Sequence, residues 1–441
     1  MASKLSTLCT FFLLSMLLSS SPSLAGSSTE DGICNCTQYP SFCKSRLPPN
    51  KSGSTIHDYG RHFVHLYLSS AQDFSQLVKS YLSPHFSYSE STIRALQDCQ
   101  LLAELNVDFL SKTSRTVNST DSVNNLLADD LQTLSSAALT NQETCSDGLQ
   151  EVASDSSVKK ELLDPLSNGT KVYSISLDLL NRGWKLLPTK GNILVSIRVV
   201  VNSNGSGNFK TINDAMAATP NNTETSNEYF VIHVVADSIN RTVITGNHSV
   251  ADGWTTFNSS TFAVVGQGFV ATNITFRNTA GAINNQVVAV RNGADLSTFY
   301  RYCNIYPRLP LQGQFNAITA QDRTDPNQNT GTSIHNCSIK AAKDLASGDG
   351  TTKTYLGRPW KQYSRTVYIQ SFMDSLIDPS GWQEWSGTFA LRPGPNTSGR
   401  VAWPGYHVIN ATDAANFTVS KFIQGDAWLP ATGVPYNGGL L

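Results

Sequence analysis

This chain of 441 residues contains few charged residues. Acidic and basic residues make up 15% of it, and the formal net charge is -1. A chain without an excess of positive charge offers no basic surface to nucleic acid, and it attracts an acidic polymer only weakly at long range. Apolar runs are also short, and none approaches the ~20 residues that a membrane-spanning helix needs. The sequence therefore predicts neither nucleic acid nor a membrane as a partner.

The N-terminus has the pattern of an export signal. Lys4 supplies a positive charge, residues 8–18 are an apolar run, and Ser23-Leu24-Ala25 is a small-residue cleavage site. We expect residues 1–25 to be removed and the remainder to be secreted. Many N-x-S/T sequons, typical of an extracellular glycoprotein, agree with this, among them Asn118, Asn168, Asn204, Asn240, Asn273, Asn336 and Asn410.

Cysteines are few and unevenly placed. Of the eight, Cys9 lies in the predicted signal, which leaves an odd number. Those in the first third are disulfide candidates in an oxidising compartment, with their connectivity left open: Cys34, Cys36, Cys43, Cys99 and Cys145. Cys36 is the candidate for the unpaired one, and Cys303 and Cys337 stand alone near the C-terminus. The histidines and carboxylates lack metal-ligand spacing, so we expect no metal and no cofactor.

Two regions of the chain differ in the spacing of their apolar residues. Residues 26–181 carry apolar side chains at helical spacing, as at Leu96, Cys99 and Leu102, and predict four or five helices in an up-and-down bundle. From residue 193 onwards, short β-rich runs alternate with turns, at 199–201, 229–235, 262–265, 274–276 and 287–290. No catalytic spacing occurs in the helical part, which predicts a binding or packing module.

The β-rich part of the chain contains weak sequence repeats. Thr272-Asn273-Ile274, Cys303-Asn304-Ile305 and Cys337-Ser338-Ile339 recur about thirty residues apart, each with a polar residue before an Ile that we expect to be buried. Weak repetition of strand and turn favours a parallel β-helix with Asn and Cys stacked on successive coils. A β-sandwich is the rival, but it should show clearer alternation and hairpin dipeptides.

Residues 354–360, with the sequence TYLGRPW, form the most suggestive short motif. Arg358 offers a rigid fork for a carboxylate, and Trp360 offers a flat face for a sugar ring. The alternative is a Gly-Pro turn with a partly buried aromatic side chain. The segment therefore indicates an anionic sugar only if other catalytic groups accompany it.

Both regions resemble one family. The segment 34–43 and the cysteine motifs at Cys99 and Cys145 are similar to the plant invertase and pectin methylesterase inhibitor domain. Residues 204–212, 286–290 and 356–360 resemble the pectin methylesterase catalytic domain. The resemblance implies an all-α four-helix bundle at 26–181, a linker at 182–195 and an all-β right-handed parallel β-helix, shortened, at 196–441. It also implies a disulfide hairpin from Cys34 to Cys43.

The resemblance implies hydrolysis of pectin methyl esters without a cofactor, in the cell wall. In the family one Asp attacks the ester carbonyl, and a second Asp acts as acid and base. Carried over by motif, Gln286 donates to the oxyanion, Arg358 orients the nucleophile and Trp360 lines the sugar subsite. The expected partner is methyl-esterified homogalacturonan.

The two aspartate motifs of the family, Gln-Asp-Thr-Leu and Asp-Phe-Ile-Phe-Gly, are absent. The chain passes directly from Cys303 to Asn304, where the family has the catalytic coils. Asp322 and Asp325 belong to a downstream segment and are predicted to be turn residues. Two further segments of the family are missing, after Val234 and after Leu391.

Three functions follow as hypotheses. The first is a member of the pectinesterase family with impaired activity, since its nucleophile is missing. The second is an inhibitor that binds another pectinesterase through the helical bundle. The third is a pectin-binding protein without catalysis, which would use Arg358, Trp360 and nearby aromatic residues such as Trp382 and Trp385.

Overall fold

The structure is a computed structural model, and the part of the chain that it describes excludes the first 29 residues and several internal segments. The described residues are 30–35, 37–48, 54–83, 88–123, 125–152, 156–184, 194–202, 204–219, 228–235, 242–265, 268–272, 274–300, 303–384, 401, 403 and 405–441. The predicted signal, Cys36, Trp385 and the other two expected gaps lie outside the described residues.

The chain divides into two compact units. The first comprises residues 1–81, 100–143 and 157–187, and the second comprises residues 82–99, 144–156 and 188–441. The helices of the N-terminal part are α1 Glu30–Cys34, α2 Pro40–Arg46, α3 Ile56–Tyr81, α4 Glu90–Ser119, α5 Asn125–Val152 and α6 Ser156–Gly183. The start of α4 and the end of α5 therefore belong to the second unit.

Four of these helices are long, and their apolar faces form the core of the first unit. Phe63 and Tyr67 of α3 are fully buried, as is Leu139 of α5. The rings of Tyr67 and Tyr173 lie 3.5 Å apart between centres. The helical prediction is confirmed. A disulfide joins Cys34 to Cys43 in this unit, and a second disulfide joins Cys99 to Cys145 in the other unit.

The second unit contains fifteen short strands in its described part. They are β1 Leu194–Val201, β2 Glu228–Val234, β3 Val243–Gly246, β4 Phe262–Val264, β5 Val270–Thr272, β6 Thr275–Asn278, β7 Val290–Asn292, β8 Thr298–Tyr300, β9 Asn304–Ile305, β10 Asn316–Thr319, β11 Thr332–His335, β12 Ser338–Ile339, β13 Thr354–Gly357, β14 Thr366–Ile369 and β15 Phe372–Met373. Short helices accompany them: α7 Ile212–Ala217, α8 Lys343–Ala346, α9 Ala411–Ala415, α10 Val419–Phe422 and α11 Gly425–Thr432.

Every strand pair in the described residues is parallel. Paired positions lie one coil apart, from 28 residues for Phe262 and Val290 to 38 residues for Asn316 and Thr354. Such pairing is that of a coil stacked on the next coil, and it rules out the antiparallel β-sandwich. The parallel β-rich fold predicted from the weak repeats is therefore confirmed.

Apart from the β1–β2 pair, the ladders of the described residues fall into two groups, one before residue 301 and one after residue 302. Strands β3 to β8 pair only with one another, and so do strands β9 to β15. Within the described residues, no strand pairing connects a residue before 301 to one after 303. In an uninterrupted solenoid each coil would pair with the next. The interruption falls at the join that the sequence predicts between Cys303 and Asn304.

The predicted repeats are partly in register. Ile305 pairs with Ile339, and the amide of Ser338 donates to the carbonyl of Cys303, so the stacking of the Cys303 and Cys337 segments is confirmed. Thr272 instead pairs with Tyr300, because the coil ends there. Ile339 is buried, whereas Ile305 beside the interruption is only half-buried, which corrects that burial prediction.

One predicted strand is displaced. The run at 287–290 contributes only Val290, since the strand begins there and the preceding residues are irregular. The backbone of Gln286 accepts a hydrogen bond from the amide of Val250, which belongs to a turn in the preceding coil. The carbonyls of Val288 and Ala289 accept hydrogen bonds from the amides of Thr261 and Phe262, so the run lies against the preceding coil just before the strand begins.

Among the described residues, no helix is both long enough and apolar enough to cross a membrane.

Candidate functional site

The segment 354–360 continues a coil of the second unit. Its strand β13 is buried and pairs with β10. Beyond the strand, the amide of Arg358 donates to Thr319 O at 2.9 Å, and the amide of Trp360 donates to Gln321 O at 3.1 Å. Gly357 is required here, because a Cβ atom would lie 2.3 Å from Thr319 Oγ1. The backbone thus fixes where Arg358 and Trp360 leave the coil.

The guanidinium group of Arg358 is held by two neighbours. Its Nε donates to the backbone carbonyl of Glu384 at 3.0 Å, and its Cζ lies 5.5 Å from the centre of the Phe315 ring. Partial burial lowers the pKa of Arg358 from its usual value, although a guanidinium remains charged at physiological pH. The side chain is a fixed cation beside an aromatic ring, which suits an anionic ligand.

Gln286 is exposed, and the side chain of Thr256 orients it. Thr256 Oγ1 donates to Gln286 Oε1 at 2.8 Å. This bond directs the amide nitrogen of Gln286 away from Thr256, where it can donate to a ligand oxygen. Thr256 lies one coil earlier, so the spacing of about thirty residues between coils could have located it in the sequence.

A small cavity brings two parts of the predicted site together. Thr256, the partner of Gln286, and Trp360 both line it. Arg358 lies two residues before Trp360 on the same segment. The remaining lining residues are Ala95, Asp98, Thr144, Cys145, Gly148, Glu151, Thr255 and Phe257. The cavity therefore joins Trp360 to Thr256, the hydrogen-bond partner of Gln286, whereas Gln286 and Arg358 are not among its lining residues.

The cavity also contains two carboxylates that the sequence did not single out. Asp98 of α4 is 8% exposed, and it accepts hydrogen bonds from Thr255 Oγ1 at 2.5 Å and from Asn258 Nδ2. Burial raises the pKa of Asp98 to about 6, because loss of hydration outweighs these hydrogen bonds and the nearby charge of Arg291. Desolvation beside Thr256 also raises the pKa of Glu151, which keeps one side open to solvent.

The side chains of Gln321 and Asp325 hold backbone amides. Gln321 Oε1 accepts from the amide of Arg365 at 2.7 Å, and Asp325 Oδ1 accepts from the amide of Asn327 at 2.8 Å. Asp325 is buried and closes a turn, as its position before Pro326 predicts.

The chain matches two protein-family models. Residues 30–179 match the model described as Plant invertase/pectin methylesterase inhibitor. Residues 225–302 and 301–426 match the model described as Pectinesterase, in two pieces. A curated relative, Probable pectinesterase/pectinesterase inhibitor 41 of Arabidopsis thaliana, is 41% identical over 94% of this chain and 95% of its own length. The chain belongs to the pectinesterase family and carries an inhibitor-type domain at its N-terminus.

Other members of the pectinesterase family are nearly as similar. Probable pectinesterase/pectinesterase inhibitor 20 of Arabidopsis thaliana is 40% identical over 95% of both chains. The solved structure of Pectin methylesterase from Carrot is 38% identical, with a TM-score of 0.46, and covers 58% of this chain and all of the carrot chain.

The family matches agree with an internal deletion. The pectinesterase match divides at residues 301–302, beside the interruption of the ladders. The alignment with the first Arabidopsis relative spans 546 positions, more than the 441 residues of this chain. That relative therefore contains segments that have no counterpart here.

Proposed function

We propose that this chain is an extracellular cell-wall protein that binds methyl-esterified homogalacturonan and has lost most of the ester hydrolysis of its family. The observation that carries the proposal is the interruption between β8 and β9, at the join where the two aspartate motifs are missing. The binding residues on either side of that join remain, with Gln286 before it and Arg358 and Trp360 after it.

The chemistry explains why loss of these coils removes activity. Ester hydrolysis through a covalent intermediate needs a carboxylate nucleophile and an acid to protonate the departing methanol. Gln286 can stabilise an oxyanion, and Arg358 can orient a carboxylate, but neither forms the acyl intermediate. A donor to the oxyanion alone accelerates a reaction only when an attacking group is also in place.

Asp98 and Glu151 do not replace the missing pair. Both oxygens of Asp98 accept hydrogen bonds from the protein, which holds the carboxylate against Thr255 and Asn258. Thr256 lies beside both Glu151 and Gln286, and its one hydroxyl proton can be donated to only one of them at a time. Both carboxylates are hydrogen-bonded to side chains of the coils. A carboxylate held in this way is a poorer nucleophile toward an ester.

Methanol release from esterified pectin tests the catalytic half of the proposal. We expect the purified secreted protein to release methanol at the background rate, because it lacks the nucleophile. A plant pectinesterase assayed in parallel shows that the substrate is competent. Release at a rate comparable with that enzyme would contradict the proposal.

Replacement of Trp360 tests the binding half. We expect Trp360→Ala to weaken binding to methyl-esterified homogalacturonan about tenfold, because the indole supplies a stacking face worth about 1.4 kcal/mol. Isothermal titration measures the effect. Tyr306→Ala is the matched control, since this aromatic ring is 54% exposed on the same unit and lies outside the cavity. Equal losses in the two variants would show that Trp360 has no special role.

A second candidate function is inhibition of other pectinesterases through the helical part. The match of residues 30–179 to the inhibitor family favours it. We expect the full-length chain, added in molar excess to an active plant pectinesterase, to reduce the rate of methanol release. An unchanged rate across the pH range of that enzyme would exclude this function.

A further inference from the structure

The turn at residues 202–208 carries an exposed asparagine inside an N-x-S/T sequon. The sequon is Asn204-Gly205-Ser206, and all three of its residues are exposed. The turn follows strand β1, and the chain returns to pair with the end of that strand at Phe209. The sequon therefore lies in a short surface connection of the second unit, where a bulky polar group requires no rearrangement of the coils.

Local hydrogen bonds shape this turn. The amide of Ser206 donates to Asn204 Oδ1 at 2.8 Å, and the amide of Asn204 donates to Asn202 Oδ1 at 3.2 Å. Asn202 Nδ2 donates to Ser206 Oγ at 2.8 Å. Gly205 has a φ of 85°, a left-handed value that favours glycine. Because each of these bonds joins residues close in the chain, the turn can form in the nascent chain before the coils assemble.

The side-chain nitrogen of Asn204 points away from these bonds. Its Oδ1 faces the amide of Ser206, so Nδ2 lies on the other side of the amide carbon, on an exposed residue. Ser206 supplies the hydroxyl that completes the acceptor signal for N-glycosylation. The turn thus presents both parts of the signal together and on the surface.

A second sequon of the same unit has the opposite surroundings. It is Asn258-Ser259-Ser260, and Asn258 Nδ2 already donates to the buried carboxylate of Asp98. Its middle residue, Ser259, is fully buried. A molecule with a sugar on the nitrogen of Asn258 cannot make the contact with Asp98 in the folded state. Of these two sequons, the structure accommodates a sugar at Asn204 alone.

We propose that Asn204 carries an N-linked oligosaccharide and that Asn258 does not. Asn204 Nδ2 attacks the anomeric carbon of a lipid-linked oligosaccharide diphosphate, and a nitrogen–carbon bond forms as the carbon–oxygen bond to the diphosphate breaks. The nitrogen loses one proton, and the lipid diphosphate leaves with the electron pair of the broken bond. The inference rests on the proposed function, because an extracellular protein meets this sugar donor on its secretory route.

Peptide mass spectrometry of the full-length chain, secreted from plant cells, tests the site. After proteolysis, peptide-N-glycosidase A in heavy-oxygen water converts a glycosylated asparagine to a labelled aspartate. We expect the label at Asn204 in most molecules and no label at Asn258. Ser206→Ala should abolish the label at Asn204, whereas Ser206→Thr should keep it, because threonine retains the hydroxyl of the sequon.

A digest without the glycosidase is the control, because an asparagine before a glycine also deamidates spontaneously. An unlabelled Asn204 in the secreted protein would overturn the inference, and so would equal labelling with and without the enzyme. Labelling at Asn258 would contradict it as well, since that modification excludes the contact with Asp98.

Failure of the site and failure of the proposed function give different results. Asn204→Gln should bind methyl-esterified homogalacturonan as tightly as the parent does, because Asn204 does not line the cavity. An unmodified Asn204 in a secreted chain that binds this polymer contradicts the inference and leaves the proposed function in place. A secreted, labelled chain that does not bind the polymer contradicts the proposed function and supports the site. A chain that never leaves the cells contradicts both.

Discussion

Insertion of the missing coils between Cys303 and Asn304 is expected to raise methanol release from pectin at least about a hundredfold. General acid-base catalysis alone contributes about 10²–10⁴-fold, and the nucleophile adds to it. The insertion site is defined twice, by the sequence and by the interrupted ladders. Gln286, Arg358 and Trp360 would then flank a complete set of catalytic groups.

The graft should be the corresponding segment of Probable pectinesterase/pectinesterase inhibitor 41, which is 41% identical to this chain. Whole coils are needed, because a partial coil leaves unpaired backbone groups that cost about 1–3 kcal/mol each when buried. The matched control is the same graft with the aspartate of its Asp-Phe-Ile-Phe-Gly motif changed to asparagine. The two grafts differ in one side chain, whose carboxylate becomes an amide, so any difference in rate is due to the nucleophile.

A folded graft that binds polygalacturonate but releases no methanol would contradict this explanation. In that case the missing carboxylates would not be the sole reason for the low activity that we propose. A graft that is active with either aspartate or asparagine would equally contradict it, since the rate would not depend on the nucleophile.

The sequence predicts much of the fold because its signals are local. Leu96, Cys99 and Leu102 recur at helical spacing and are buried on α4. The parallel ladders follow from repeats that bring Ile305 onto Ile339. The displaced strand at Val290 shows the limit of such signals. The residues before it contact the preceding coil through hydrogen bonds from Val250 to Gln286 O and from Thr261 to Val288 O, and such bonds join residues far apart in the chain.

The site was predictable only where it lies in short motifs. Gln286, Arg358 and Trp360 stand in segments that resemble the family, whereas the contact of Asp98 with Thr255 spans 157 residues. No local pattern in the sequence marks Asp98, or Thr255 as its partner. Pairings of this kind depend on tertiary packing, which composition and periodicity do not specify.

The burial of Asp98 is also expected to make the free energy of unfolding depend on pH. Burial raises the pKa of Asp98 from 3.8 to about 6, so the folded protein binds this proton more tightly than the unfolded chain does. A group with a raised pKa contributes its full stability below the unfolded value and loses that stability as pH rises through the folded value. The loss therefore falls between about pH 4 and pH 6, and it amounts to about 3 kcal/mol.

Urea unfolding of the parent and of Asp98→Asn across pH 4 to pH 8 measures this loss. Because asparagine does not titrate, the difference between the two proteins isolates Asp98 from the other ionisable groups around it, which include Arg291 and Glu151. We expect the parent to lose about 3 kcal/mol relative to the variant by pH 7. Asp58→Asn is the control of opposite sign, because the backbone amide of Thr55 lowers the pKa of Asp58. Its contribution should be lost as pH falls below 3.8, so this pair is also measured from about pH 2 to about pH 4. A difference for Asp98 that stays flat, or that grows in the parent's favour above pH 6, would show that the carboxylate is not held in a desolvated contact.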